Sequence, residues 1–223
     1  RIAQGVLGEV VSFHTHYYRA SNLDPTRPLG WRFVGAGSGV LQDLGSHLID
    51  LTHALLGPIE TVSARTRTLI AQRPDASGQL APVTSDDVAW LQVTLASGGV
   101  GTLEASKVVP GAGDDIRLTV YGTRGALAFD TRDPNGLQLV EGEGHSQRYV
   151  ATASRAEPRA AVLNAEKPTG ALQWHLALIA AFCAALGDNT PFAPSLGDGA
   201  AVQRVIAAAF RSADEGGRAV RVI

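Results

Sequence analysis

The sequence predicts an α+β domain: a large, mainly antiparallel open sheet with helices packed on one face. Three observations predict it. From Ile59 to Ala151 one β-leaning run follows another, separated by short glycine-containing turns. Turns this short join antiparallel neighbours, because a parallel crossover consumes a dozen residues or more. The helix-period segments lie before and after this block and do not alternate with its strands.

Each element can be justified in chain order. Arg1 to Leu7 reads as the end of a helix stopped by Gly8. From Glu9 to Tyr18 the period is two. Val11, Phe13 and Tyr17 point one way and Ser12, His14, His16 and Tyr18 the other, a half-buried strand with a chemically capable polar face. Ser21 to Gly39 is a loop punctuated by proline and glycine, and Val40 to Leu56 a helix stopped by Gly57-Pro58. The strands expected next are Ile59–Thr68, Asp87–Ala96, Val100–Val109, Asp115–Tyr121, Ala126–Asp130, Leu137–Val140 and Gln147–Ala151. Arg73 to Pro82 and Ser154 to Gly170 read as surface loops. Ala171–Leu186 is a helix with Leu172, Leu176, Ile179 and Leu186 on its apolar face, which makes Cys183 a core residue. The last helix starts near Ser195, with Asp198 completing a loose capping box, and runs to Glu215. Val202, Ile206, Ala209 and Ala213 form its stripe, and Arg218 to Ile223 reads as a final strand.

Composition excludes several classes. With 223 residues, 45% of them hydrophobic, the chain can bury one substantial core and is not disordered. A net charge of −2 offers no footprint for nucleic acid or an acidic membrane surface. A single cysteine excludes an internal disulfide framework and any cysteine-cluster metal site. No stretch reaches the roughly 18 apolar residues that span a bilayer, and residues 1–11 lack a signal-peptide pattern. A cytoplasmic protein is expected. Methionine is absent even at position 1, so the chain is expected to be a piece of a longer protein. Of the 19 basic residues only Lys107 and Lys167 are lysines.

The second face of the sheet raises a separate question. Val88 and Trp90 share a strand face with Gln92 and Thr94, and Arg65 and Arg67 alternate on theirs. Such a face is too apolar for water and too polar for a core. It meets either another subunit or the chain's own loops.

The segment from Trp31 to Asp50 carries the chemistry. At about 100° per residue, Asp43, His47 and Asp50 fall in one narrow wedge of the helix. Leu44, Leu48, Leu51 and Leu55 form the adjoining core stripe, so the wedge lies where a cleft would open. An aspartate one turn before a histidine accepts its N–H or lies beside it. Either arrangement raises the imidazole's basicity and orients it for proton transfer. The same spacing also suits a plain surface pair. As a metal site it lacks a third ligand at a convincing spacing. The glycine run fails as a nucleotide loop, because Val40 stands where G-x-G-x-x-G needs glycine. Trp31 and Arg32 precede the helix, and an arginine there can clamp hydroxyl or carboxylate oxygens. His14, His16, Tyr18 and Lys107 are further candidates for substrate contact.

Gly8-Glu9-Val10, Trp31-Arg32 and the run Gly37-Ser38-Gly39-Val40-Leu41-Gln42-Asp43-Leu44-Gly45-Ser46-His47-Leu48-Ile49-Asp50 closely resemble the glucose–fructose oxidoreductase/inositol dehydrogenase (Gfo/Idh/MocA) family. The likeness continues through Thr84-Ser85-Asp86-Asp87, through Tyr121-Gly122-Thr123-Arg124-Gly125-Ala126-Leu127, and into Pro194-Ser195-Leu196-Gly197-Asp198-Gly199-Ala200. The resemblance implies an NAD- or NADP-dependent enzyme of two domains, a Rossmann domain followed by an α+β substrate domain. Residues 9–223 would then be the substrate and oligomerisation domain, and residues 1–8 a remnant of the junction. Asp43 and His47 match the family's catalytic Asp and His, with a sugar, inositol or related polyol as substrate. A cofactor-dependent glycoside hydrolase of the same superfamily and a non-catalytic sugar-binding or assembly domain are the alternatives. The sequence departs from the family pattern in having no Rossmann fingerprint. Its one Glu-Lys-Pro, at Glu166-Lys167-Pro168, lies far downstream of Asp43 and reads as coincidence. No cofactor-binding residue is therefore expected in this chain, and the chain alone is expected to be inactive.

Overall fold

The computed structural model describes residues 2–133, 136–142, 147–151 and 171–223, of which 147–151 and 171–174 are described by backbone alone. The expected loop at 154–170, with its Glu-Lys-Pro, lies outside the described residues. In chain order the elements are β1 (Val10–Tyr18), a π-helical turn (Leu41–Gly45), α1 (Ser46–Leu56), β2 (Ile59–Arg67), β3 (Gln72–Pro74), β4 (Leu80–Pro82) and β5 (Val88–Leu95). There follow β6 (Val100–Ser106), β7 (Asp115–Gly122), β8 (Gly125–Asp130), β9 (Gly136–Glu141), β10 (Gln147–Ala151), α2 (Ala171–Asp188), α3 (Leu196–Asp214) and β11 (Val220–Arg221).

Among the described residues nine strands form one sheet in the order β10-β9-β8-β7-β1-β6-β5-β2-β11. Hairpin neighbours pair antiparallel, as their short turns demand, and β2 pairs antiparallel with β5 across the longer segment that holds the β3–β4 hairpin. The exception is β1, which inserts between β7 and β6 and runs parallel to β6, with Phe13 opposite Gly101 and Tyr17 opposite Ala105. This parallel pairing is possible because the π turn, α1, β2 and β5 lie between the two strands in sequence. Phe13 fills the gap that Gly101 leaves: a Cβ there would fall 2.3 Å from the phenylalanine ring.

One face of the sheet carries the core. Phe13, Val62, Leu91, Leu103, Leu118 and Val120 meet Leu44, Leu48 and Ile49 from the π turn and α1, and Val202, Val205 and Ile206 from α3. The capping box that opens α3 forms as expected, Ser195 and Asp198 each accepting from the other's backbone N–H. The opposite face is open. Trp90 is 44% exposed there, beside a shallow groove lined by His14, Ser63, Gln92, Thr94 and Thr102.

Several expectations change. Residues 2–4 form a single 3-10 turn in place of a helix end. Arg73 to Pro82 contains the small β3–β4 hairpin. Val11 is 52% exposed, because the β1–β7 register shifts between Val10 and Ser12 and turns Val10 to the core in its place. Val88 is buried, so Trp90 and Gln92 are the exposed positions of β5. On α1 Ile49 and Thr52 are buried beside Leu48, Leu51 packs partly buried against the core, and Leu55 is exposed. Helix α2 leaves Leu178, Ile179, Phe182 and Leu186 exposed, and Cys183 with them. Its periodicity shows an apolar face but does not specify what covers it. No helix among the described residues is long and apolar enough to cross a membrane.

Candidate active site

The site is built on the segment that enters α1. Asp86, two residues before β5, accepts the Leu41 N–H on its carboxylate at 2.8 Å, and its carbonyl accepts the Val40 N–H at 3.0 Å. Gly39 has φ +97°, and a Cβ there would fall 2.1 Å from Asp86 Oδ1, so glycine is needed for both conformation and space. The turn that follows is π-helical, with its fully buried side formed by Leu41, Leu44 and Gly45. Such widened turns are frequent at functional sites. Asp43 lies within it on the opposite side, and His47 follows in the first turn of α1.

Asp43 is paired with Lys107, whose Nζ donates to Oδ2. Arg32 Nε stands 3.8 Å from the same oxygen, and its guanidinium lies 4.2 Å from the centre of the Trp31 ring. Burial acts to raise the Asp43 pKa. The Lys107 hydrogen bond and charge, with the charges of Arg32 and His47, outweigh it and hold the carboxyl below the usual aspartate value. Asp43 is thus an ionised acceptor at neutral pH. Of the two geometries the spacing allowed, His47 has the second: its charge acts on Asp43, while the carboxylate's hydrogen bond goes to Lys107.

His47 is exposed. Its ring faces Tyr17 of β1, the centroids 6.0 Å apart and the planes tilted by 57°. Burial and the hydrogen bond to Asp114 push the Tyr17 phenol well above its ordinary value, so it stays neutral. Asp50 sits one turn beyond His47, half-buried, where its charge acts on His53.

The structure therefore brings Asp43, His47, Arg32, Trp31 and Lys107 together, with Asp50 further along the same helix. It does not bring His16 and Tyr18 to them. Alternation along β1 sends Thr15 and Tyr17 toward the helices and His16 and Tyr18 to the open face. There the two rings stack 4.1 Å apart, and the Tyr18 hydroxyl donates to Glu104 at 2.8 Å. His14 lies on that face too, 2.9 Å from the Thr102 hydroxyl. Tyr17 is the site residue that sequence reasoning missed. It read as an inward-facing core position, and its only signal was a polar tip at the strand's end. Asp86 belonged to a quoted motif without an assigned role.

The Leu41 N–H at the helix entrance is taken by the Asp86 side chain, whose pKa burial raises above the ordinary aspartate value.

A large, mainly antiparallel sheet with helices packed on one face is the architecture of the C-terminal α/β domain of a class of oxidoreductases. The chain belongs to that class, the Gfo/Idh/MocA family: a family model described as "Oxidoreductase family, C-terminal alpha/beta domain" matches residues 1–222. Levoglucosan dehydrogenase of Pseudarthrobacter phenanthrenivorans is 32% identical over 162 residues, covering 66% of this chain and 42% of that protein. Inositol 2-dehydrogenase of Rhizobium meliloti is 26% identical over 216 residues, covering 96% and 57%. Among solved structures, levoglucosan dehydrogenase in complex with NADH and levoglucosan superposes with a TM-score of 0.89 at 29% identity. An NAD binding oxidoreductase from Klebsiella pneumoniae gives 0.90 at 27%. Each of these two matches covers 100% of this chain and 61% of the other, so the chain spans less than two thirds of the length of these relatives.

Proposed function

We propose that this chain is the substrate-side domain of an NAD- or NADP-dependent oxidoreductase that oxidises a hydroxyl of a sugar, inositol or related polyol. The observation that carries this reading is the ionised Asp43 beside an exposed His47, over the helix-bearing face of the sheet, in a chain whose relatives include a sugar and a polyol dehydrogenase. The nicotinamide cofactor would be held by residues outside this chain and would supply the hydride acceptor. In this chain, His47 takes the proton from the substrate hydroxyl through an imidazole nitrogen. Asp43, held ionised by its cationic neighbours, orients the substrate and favours the positive charge that develops on His47. Arg32 offers N–H donors to substrate oxygens. Trp31, 67% exposed, offers its ring to the C–H face of a sugar. Asp50 extends the polar side of the helix as an acceptor for a further hydroxyl.

The test is a full-length protein containing this chain, offered polyols with NAD+ or NADP+, and followed by reduced-nicotinamide absorbance. Reduction supports the reading. Release of an aglycone without net reduction would replace it with a glycoside hydrolase, and no turnover with any of them with a binding or assembly role.

We also propose that the open sheet face joins this chain to a second copy. The exposed Trp90 and Tyr121 beside a groove of threonine, serine and glutamine support it, being aromatic and polar in the proportions of an interface. Sizing by light scattering tests it: Trp90→Arg should shift an oligomer toward monomer, and a parent protein that is already monomeric would overturn it.

A further inference from the structure

The sequence treats Lys107 as one more substrate contact, but its surroundings give it another role. Its side chain is 7% exposed, against 41% for the carboxylate it holds. Its backbone is fixed from both sides. The Lys107 N–H donates to Asp87 O at 3.0 Å, and its carbonyl accepts the Asn22 N–H at 2.9 Å. One residue before it Ser106 O accepts the Arg19 N–H at 2.8 Å, and two residues after it Val109 N–H donates to Arg19 O at 3.0 Å. Lysine is ordinarily a mobile surface cation on a flexible stem. Here the stem leaves a locked strand end on the helix-bearing face and reaches one carboxylate oxygen in the π turn. In a chain that otherwise uses arginine almost throughout, this position holds the compact ammonium that suits a single oxygen acceptor.

We propose that Lys107 is a positioning residue that acts through Asp43: it fixes the direction of the Asp43 carboxylate in the π turn and so holds it as an acceptor for the substrate. The proposal rests on the assignment of Asp43 to the reactive centre and goes beyond it by giving Lys107 no substrate contact. The groups facing Asp43 are Lys107 from the end of β6, Arg32 from the preceding loop, His47 from α1 and Tyr17 from β1. Lys107 is the one that is both buried and hydrogen-bonded to it.

Two measurements test this. The first is an NMR titration of the Asp43 side-chain carboxyl, which needs no activity. Lys107→Met should move its midpoint upward, and Lys107→Arg, which keeps the charge, should leave it low. The second is steady-state kinetics of the full-length protein. Lys107→Met should lower kcat by about 100-fold, the scale expected when a reacting group is misplaced by about an ångström. Lys107→Arg should fall between, because it restores the charge but not the compact geometry. An Asp43 midpoint that does not move in Lys107→Met overturns the proposal, as does a raised KM at unchanged kcat, which would make Lys107 a substrate contact. If Lys107→Met does not fold, Lys107→Gln keeps a donor without the charge and takes its place in both measurements. A parent protein that oxidises no polyol would remove the proposed function, while the titration would still decide the Lys107–Asp43 coupling.

Discussion

Tyr17 and His47 face one another across the junction of sheet and helix, ring centroids 6.0 Å apart and planes tilted by 57°. The contact ties a central strand to the helix that carries the reactive pair. The phenol is anchored in turn, donating to Asp114 Oδ1 at 2.7 Å, and Asp114 pairs with Arg19 at 3.2 Å. Tyr17→Phe keeps the ring and loses only the anchor, so kcat of the full-length protein should fall by about 2- to 10-fold, the worth of one hydrogen bond. Tyr17→Leu removes the ring that orients His47 and should cost up to about 100-fold. Steady-state kinetics on the pair separates the two contributions, and equal effects would show that the ring contact does nothing.

Loss of the imidazole itself should be more costly to turnover and nearly free for the fold. His47 is exposed, and the buried residues of α1 are Leu48, Ile49 and Thr52. His47→Ala should lower kcat by about 10²- to 10⁴-fold, the range for a general base. Its unfolding free energy should stay within about 0.5 kcal/mol of the parent, as for surface substitutions generally. Turnover at the parental level would sink the assignment of His47 as base.

The Phe13–Gly101 pair makes a stability prediction independent of function. A Cβ at residue 101 would fall 2.3 Å from a ring that is fully buried. Gly101→Ala should therefore cost about 1–3 kcal/mol, the usual cost of overpacking a core. Urea unfolding reads this directly. Gly113→Ala, at a position whose Cβ would meet nothing within 4 Å, is the control.

Acid should weaken the fold through His53. Its Nε2 accepts the Ile59 N–H at 3.3 Å, a role open only to the neutral ring. Burial, opposed by Asp50 and Asp198 and aided by Arg204, holds its pKa below the ordinary histidine value. A depressed folded pKa means that the unfolded chain takes up the proton first. The stabilisation is complete above the ordinary value, about 6.5, and is lost as pH falls through the folded one. Unfolding free energy should therefore decline as pH is lowered below about 6.5, and His53→Gln should reduce that slope. The His16 pKa, also lowered chiefly by burial, adds to the slope with the same sign, so combining His16→Gln with His53→Gln should flatten it further.

Much of the architecture was legible because it depends on local regularities. Period-two runs with glycine turns between them locate strands, and Gly57-Pro58 stops α1 where expected. The spacing of Asp43, His47 and Asp50 placed them on the polar side of a helix whose other side is buried. Other features were not legible because their causes are distant in sequence. The register shift at Val11 depends on the partner strand β7. The apolar face of α2 is written in its sequence, yet Leu178, Ile179 and Phe182 stay exposed. The polar face of β1 was visible as a set, but whether His16 or Tyr17 meets the site depends on which side α1 covers.

The amino-acid sequence by itself determined the fold class, the order of the elements and the helix that bears Asp43 and His47, because periodicity, caps and turns act over a few residues. Tertiary structure alone decided that β1 lies parallel beside β6, and that decision assembles the site. With β1 in the centre of the sheet, Tyr17 comes beneath His47, while the backbone of Arg19 and Asn22 locks the strand end from which Lys107 reaches Asp43. The physical reason is that side-chain alternation sets which residues share a face, while strand order sets which faces meet, and strand order is a property of the packed whole.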